Sequence, residues 1–201
     1  MTTRSIAAIV IALLFTACGP TEEPPAPAAP AATAEQPVDL AARANEIAQS
    51  SIIIDTHIDV PYRIVEEWED VSVATEGGDF DYPRAVAGGL NAPFMSIYTP
   101  AGLEEEGRSK EAAENLIDLV NRIVNESPDK FAIATSPADV EAHFEKGLIS
   151  LPLGMENGSP IEGDLANVQH FFDRGIRYIT LAHGLSNHIS DSSYDDNKRW
   201  D

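Results

Sequence analysis

The chain has 201 residues, with 33 Asp and Glu against 13 Lys and Arg, which gives a formal net charge of −20. A surface this acidic repels nucleic acid and anionic lipid, so we expect neither as a partner held by charge. Because the sequence contains one cysteine, an intrachain disulfide is excluded.

The N-terminus has the pattern of a secretion signal. Arg4 precedes an apolar run at residues 6–15, about ten residues and too short for a comfortable membrane span. Cys18, in the run Leu-Phe-Thr-Ala-Cys-Gly, lies where a bacterial lipoprotein carries its lipidated cysteine. The alternative is an ordinary signal peptide with a chance cysteine. We expect a lipoprotein signal peptide at residues 1–17 and a membrane anchor through lipidated Cys18.

This signal predicts a protein secreted across the inner membrane and held in the bacterial cell envelope. Gly19 after the cysteine favours the outer membrane. Residues 18–38 are rich in Pro and Ala, a composition that cannot build a core and favours extended chain. We expect this segment to be a disordered tether to a folded domain at residues 39–201.

Strands and helices alternate in the sequence of this domain, and Asp39 is placed to cap its first helix. The predicted elements are helix 40–48, strand 52–55, helix 62–69, loop 74–81, strand 92–98, helix 109–125, strand 131–134, helix 137–147, strand 148–155, helix 165–174 and strand 176–182. This alternation predicts an α/β fold with a parallel sheet, either a (β/α)8 barrel or an open doubly wound sheet. The first strand is not followed by G-x-G-x-x-G, which argues against dinucleotide binding.

Four chemically active side chains lie at the ends of three predicted strands: His57 and Asp59, Glu156, and His183. Residues two apart in a strand share a face, so His57 and Asp59 lie side by side. Barrel active sites are built at the carboxyl ends of the strands. Histidine, aspartate and glutamate bind divalent metals such as zinc, and a metal would balance the otherwise costly burial of Glu156. These residues predict a metal site, but a site for two metal ions would need further ligands.

Each of these residues also has a non-functional interpretation. His-x-Asp occurs by chance, Glu156 could cap the next turn, and His183 could bond a backbone carbonyl. Other polar residues are expected outside the site: His143 and His170 in surface or packing positions, His188 in a loop that faces substrate or solvent, and the acidic run 104–106 in a solvated loop or helix start. Ser96 and Ser186 lack the G-x-S-x-G setting of a serine hydrolase.

Several stretches together resemble the membrane (renal) dipeptidase family of metal-dependent amidohydrolases. They are Ile-Asp-Thr-His-Ile-Asp-Val-Pro at 54–61, Gly-Gly-Leu at 88–90, Ser-Ile-Tyr-Thr-Pro at 96–100, Gly-Met-Glu-Asn-Gly at 154–158, Gly-Ile-Arg-Tyr-Ile-Thr-Leu-Ala-His at 175–183, and Asn187 with Ser-Asp-Ser at 190–192. The resemblance spans about residues 50–201. Asn157 stands where the family commonly has glycine.

The resemblance implies a (β/α)8 barrel that hydrolyses dipeptides with two zinc ions. His57 and Asp59 would bind one zinc, and Glu156 would bridge both. His183 would contact the substrate and stabilise the tetrahedral intermediate, so His183 and Glu156 are the expected catalytic residues. Such metals activate a water and polarise the scissile carbonyl.

The family takes the second zinc's two histidines, an arginine and a late aspartate from a C-terminal half that is absent here. About 160 folded residues compare with roughly 250 for a typical barrel. We therefore expect the N-terminal half of a truncated barrel, poorly stable and inactive alone. The main alternatives are a related amidohydrolase that acts on another small amide or lactam, and a non-catalytic envelope lipoprotein that binds a ligand.

Overall fold

The computed structural model describes residues 39–200, in which parallel strands alternate with helices. The helices are α1 (Leu40–Ser50), α2 (Val60–Ile64), α3 (Tyr82–Gly88), α4 (Ser109–Glu126), α5 (Pro137–Glu145) and α6 (Ala166–Asp173). The strands are β1 (Ile53–Ile58), β2 (Leu90–Tyr98), β3 (Phe131–Ile133), β4 (Ile149–Leu151), β5 (Leu153–Glu156) and β6 (Ile176–Thr180). Short 3-10 helices follow β2 (Ala101–Leu103) and β5 (Ser159–Ile161).

Four strands form one parallel sheet in the order β1-β2-β5-β6, and β3 pairs with β4 in a second, two-stranded parallel sheet. The register aligns Tyr98 of β2 with Glu156 of β5, and Glu156 with Thr180 of β6. The carboxyl ends of these strands therefore meet along one edge. The prediction of an α/β fold with a parallel sheet is confirmed.

The core lies between one face of the four-stranded sheet and the helices that cover it. Met95 and Ile97 of β2 are fully buried, as are Leu153 and Met155 of β5. The apolar stripe of α4 packs in the same core through its buried residues Ala113, Leu116, Ile117, Val120 and Ile123. Because side chains alternate along a strand, the residues between these buried ones point to the opposite face, where the polar side chains gather.

The strand predicted at 148–155 is divided at Pro152. Proline has no N–H to donate to a sheet, but its carbonyl still accepts a hydrogen bond from Met95 N over 2.8 Å. The segment before it, β4, pairs with β3, and the segment after it, β5, joins the four-stranded sheet. One apolar run thus contributes to two sheets.

Helix α3 was missing from the predicted elements. Asp81 caps it by accepting a hydrogen bond from Arg84 N over 2.8 Å, and Pro83 lies in its first turn. The helix ends at Gly88 and is followed by Gly89, whose φ of 77° is left-handed. A Cβ on Gly89 would lie 2.5 Å from the Ala48 carbonyl oxygen. Only glycine therefore suits this turn, which leads directly into β2.

Helix α2 is shorter than predicted, since it ends at Ile64 instead of 69. After this point the chain leaves the helix, and Trp68 packs against the core with the Arg122 guanidinium 3.6 Å from its ring centroid. Across residues 39–200, none of the helices has the length and apolar character needed to cross a membrane. The predicted signal peptide, tether and lipidated Cys18 lie outside the described residues.

Candidate metal centre

The structure brings His57, Asp59 and Glu156 together at the carboxyl edge of the sheet. His57 Nε2 lies 3.0 Å from Glu156 Oε2 and 3.3 Å from Asp59 Oδ1. The potential ligand atoms of the three residues all lie within 4.8 Å of one another. Strands β1 and β5 are separated by β2 in the sheet, so this convergence results from the fold and not from proximity in sequence.

Each ligand is placed by the end of a strand. His57 is the penultimate residue of β1, and Asp59 follows the strand as the residue before α2. The Asp59 side chain makes no capping hydrogen bond to α2 and is 63% exposed, and its Oδ1 lies beside His57 Nε2. Glu156 is the last residue of β5 and is only 14% exposed.

Ser96 supports Glu156 from the neighbouring strand. Its fully buried hydroxyl donates a hydrogen bond of 2.8 Å to Glu156 Oε2. This contact fixes the rotation of the carboxylate and partly compensates its desolvation. The sequence indicated no partner for Ser96, which is excluded there only as a nucleophile. The contact with Glu156 follows from the pairing of β2 with β5.

His183 lies beyond β6 on the other side of Glu156. Its Nε2 is 3.1 Å from Glu156 Oε1, and its ring packs edge-on against Tyr98 with 5.1 Å between centroids. The two oxygens of Glu156 therefore face different histidines, Oε2 towards His57 and Oε1 towards His183. A carboxylate placed in this way can bind two partners at once. The four predicted site residues thus meet around one carboxylate.

Tyr178 of β6 contacts His57 at Nδ1, the ring nitrogen that does not face Asp59 and Glu156. Its hydroxyl lies 2.8 Å from His57 Nδ1 and donates to the Thr56 carbonyl over 3.2 Å. This residue lies inside the stretch 175–183 that carries the family resemblance, but the sequence did not indicate its partner. The contact depends on how the sheet brings β6 towards β1.

The site has a negative electrostatic field. Burial, followed by the charges of nearby groups including Glu156 and Asp59, raises the pKa of the Tyr178 phenol above its ordinary value. The pKa of the Tyr98 phenol is raised by burial, by Tyr62 and by the same two carboxylates. A bound cation would relieve this field. One imidazole nitrogen and two carboxylate oxygens suit zinc or a similar divalent metal, so the residues fit a metal ion.

The other histidines lie outside this centre. His143 Nδ1 is 2.9 Å from the Ser150 hydroxyl, and His170 contacts the Glu114 carboxylate, in agreement with the predicted packing positions. The backbone N–H of His188 donates to Glu104 Oε1 over 3.0 Å.

In the acidic run 104–106, Glu105 and Glu106 are exposed as expected, but Glu104 departs from a solvated loop residue. Its side chain is 18% exposed, and the oxygen that accepts from His188 also accepts a hydrogen bond of 3.1 Å from the Arg199 guanidinium. Glu104 therefore joins the loop after β2 to the loop after β6. The sequence carried no signal for this, because the three partners come from segments far apart in the chain.

A parallel α/β sheet with a histidine and two carboxylates at its strand ends has the architecture of barrel-type metal-dependent hydrolases. Residues 41–201 match the family described as "Membrane dipeptidase (Peptidase family M19)". The chain belongs to this family, and the resemblance found in the sequence is confirmed.

Individual relatives agree with the family assignment. The chain is 29% identical over 165 residues to "Dipeptidase ataJ" of Aspergillus terreus, a match that covers 76% of this chain and 40% of the relative. Among solved structures it is similar to the probable dipeptidase PvdM from Pseudomonas aeruginosa, with a TM-score of 0.67, 22% identity, and coverage of 77% of this chain and 40% of that one.

A second solved structure is a metallo peptidase from Rhodobacter sphaeroides liganded with a phosphinate mimic of the dipeptide L-Ala-D-Ala. It has a TM-score of 0.57 and 18% identity, and the match covers 69% of this chain and 48% of that chain. These structural likenesses show the fold. The chain spans 40% of the length of the curated relative named above.

Proposed function

We propose that this chain forms part of a zinc-dependent dipeptidase that hydrolyses the peptide bond of dipeptides. The observation that carries the proposal is the convergence of His57, Asp59 and Glu156 in a chain of the membrane dipeptidase family. The names of its relatives support a dipeptide substrate, as does the dipeptide mimic bound to the Rhodobacter sphaeroides protein. We infer two zinc ions in a complete site.

Under this proposal His57 and Asp59 would hold one zinc. Glu156, which lies with Oε2 towards His57 and Oε1 towards His183, would be a ligand shared by both metal ions. The hydrogen bond from Ser96 keeps the carboxylate in this orientation. When bound, the metal pair supplies an activated water and polarises the scissile carbonyl.

His183 is positioned to act on the substrate. Its ring is held by the edge contact with Tyr98, and its 44% exposed side chain leaves the imidazole accessible from the open side of the site. An imidazole N–H there can donate to the oxyanion that develops on the dipeptide carbonyl, which lowers the barrier by electrostatic stabilisation.

The test uses the natural protein with single substitutions. His57→Ala or Glu156→Ala should abolish metal-dependent dipeptide cleavage and lower the bound zinc measured by elemental analysis. Glu145→Ala, which removes an exposed carboxylate of α5, is the control and should keep both properties. Full activity in either site variant would contradict the proposal.

Substrate profiling then tests the reaction class, because a fold does not determine the substrate. Turnover of dipeptides in preference to lactams and other small amides supports the dipeptidase. A preference for a lactam would favour the related amidohydrolase, and absence of turnover with a full zinc content would favour a binding protein.

We also propose that Cys18 carries a lipid anchor and that the protein lies in the cell envelope, at the outer membrane. The support is the sequence around Cys18 and the Pro- and Ala-rich segment after it. Cys18→Ser should move the protein from the membrane fraction to the soluble fraction and remove fatty-acid labelling. Equal membrane retention of this variant would overturn the anchor.

A further inference from the structure

We propose that Tyr178 is a positioning residue that fixes the orientation and the tautomer of His57 as a metal ligand. This inference rests on the proposed metal site and concerns a residue beyond the metal ligands themselves. It follows from the direction of two hydrogen bonds and from the space that one glycine leaves free.

The hydrogen-bond directions follow from the chemistry of the partners. The Thr56 carbonyl can only accept, so the single proton of the Tyr178 hydroxyl is donated to it over 3.2 Å. In this arrangement the hydroxyl oxygen accepts from His57, and we infer that Nδ1 of the imidazole, 2.8 Å away, carries the proton.

A proton on Nδ1 leaves Nε2 as the coordinating atom of His57. Nε2 is the nitrogen that faces Asp59 and Glu156, at 3.3 and 3.0 Å. Metal-binding histidines characteristically donate their other ring N–H to a fixed acceptor, which sets the ring orientation and raises the basicity of the ligand nitrogen. Tyr178 supplies that acceptor here.

The position of Tyr178 depends on Gly154. The two residues are register partners on β6 and β5, and a Cβ on residue 154 would lie 2.0 Å from Cζ of the tyrosine ring. Gly154 is therefore required for space. On its other side the ring contacts Phe94, with 5.4 Å between centroids.

The contact between Tyr178 of β6 and His57 of β1 spans the whole sheet. Two strands, β2 and β5, lie between them. With about 4.8 Å between neighbouring strands, β1 and β6 would be roughly 14 Å apart in a flat sheet. The His57 and Tyr178 ring centroids are only 6.5 Å apart, because both side chains extend towards each other across the intervening strands. Tyr178 thus contacts His57 from the far side of the sheet.

The experiment compares Tyr178→Phe with the unmodified natural protein. Removing the hydroxyl should weaken zinc binding by about 10- to 100-fold in competition with a chelator. Tyr82→Phe is the matched control, because the Tyr82 ring packs against Phe131 outside the metal centre. The control should bind zinc as the unmodified protein does, and all three metal-free proteins should melt together.

A second readout separates positioning from general packing. In the zinc-loaded protein, NMR should show a slowly exchanging Nδ1–H of His57, and Tyr178→Phe should lose this protection. Equal zinc affinity and a retained Nδ1–H signal would overturn the inference while leaving the proposed metal site intact. If the unmodified protein binds no zinc, the proposed function and this inference fail together.

Discussion

Asn187 donates a hydrogen bond of 3.0 Å from Nδ2 to Asn157 Oδ1, and both side chains are buried. Asn157 also donates to the Thr99 carbonyl over 2.9 Å and accepts from Ser159 N over 3.2 Å. Its side chain thereby joins the loops that follow β2, β5 and β6, directly behind Glu156. Its φ of 76° is left-handed, a conformation that asparagine adopts more readily than most residues, and the hydrogen bonds explain why the residue is not glycine.

We predict that Asn157→Gly destabilises the protein by about 1–3 kcal/mol, because the loss of buried hydrogen bonds exceeds the relief of the left-handed backbone. Chemical denaturation of the two proteins measures this difference. Glu162→Gly is the comparison, since Glu162 also has a positive φ, of 52°, but its exposed side chain accepts a single hydrogen bond, from Lys110 N over 3.1 Å. That change should cost less than Asn157→Gly, and an equal loss in both variants would contradict the prediction.

Ser96→Ala tests the support of the bridging carboxylate. We expect about 10-fold weaker zinc binding, because Glu156 loses its hydroxyl donor and with it a defined orientation. Ser109→Ala is the matched control: Ser109 is also fully buried, but its hydroxyl has no hydrogen-bond partner among residues 39–200. Chelator competition on both variants measures the effect, and unchanged zinc affinity in Ser96→Ala would remove Ser96 from the site.

Gly154→Ala should disturb the ring of Tyr178 without changing any polar group. The added methyl overlaps the ring, so we expect a loss of about 1–3 kcal/mol of stability together with weaker zinc binding. Gly88→Ala is a control in α3, where a Cβ meets nothing within 4 Å. That change should be neutral or stabilising. Thermal melts and zinc titration of the two variants check the prediction.

The environment of Asp81 predicts that the folded protein loses stability at low pH. Burial alone would raise its pKa, but hydrogen bonds from Thr75 and Arg84 and the Arg84 charge together lower the pKa from 3.8 to about 2. Because the folded pKa is depressed, the stabilisation is fully present above pH 3.8 and is lost as the pH falls towards about 2. Protonation of Asp81 removes the negative charge that strengthens its hydrogen bonds with Thr75 and Arg84.

The matched change is Asp81→Asn, which keeps a good helix cap but removes the charge. We expect it to cost about 1–2 kcal/mol at neutral pH. The difference from the unmodified protein should shrink between pH 3.8 and about 2. Denaturation curves across this range test the prediction, and a constant difference at all pH values would show that the Asp81 charge does not contribute.

The sequence predicted those parts of the site that have local signals. His57 and Asp59 follow an apolar run at strand spacing, and Glu156 and His183 each end such a run, so the alternation of strands and helices was enough to place them on one edge. Helix α3 had usable signals in Asp81 and Gly89, but the neighbouring loop composition hid them.

Contacts between distant segments could not be predicted in this way. Tyr178 reaches His57 across β2 and β5, over the space left by Gly154, and this strand order has no signature in a single strand. Ser96 supports Glu156 through the register of two strands 60 residues apart. Glu104 belongs to an acidic run that is typical of a solvated loop. Its partial burial depends on a loop that comes much later in the chain.

The shared hydrogen bonds of Glu104 have a consequence for motion at the edge of the site. The loop after β2 and the loop after β6 are joined through one carboxylate that contacts both His188 and Arg199. Neither loop can swing outward alone without breaking these bonds. Local opening should therefore be cooperative, and the amides of the two loops should exchange their hydrogens with solvent as a single unit.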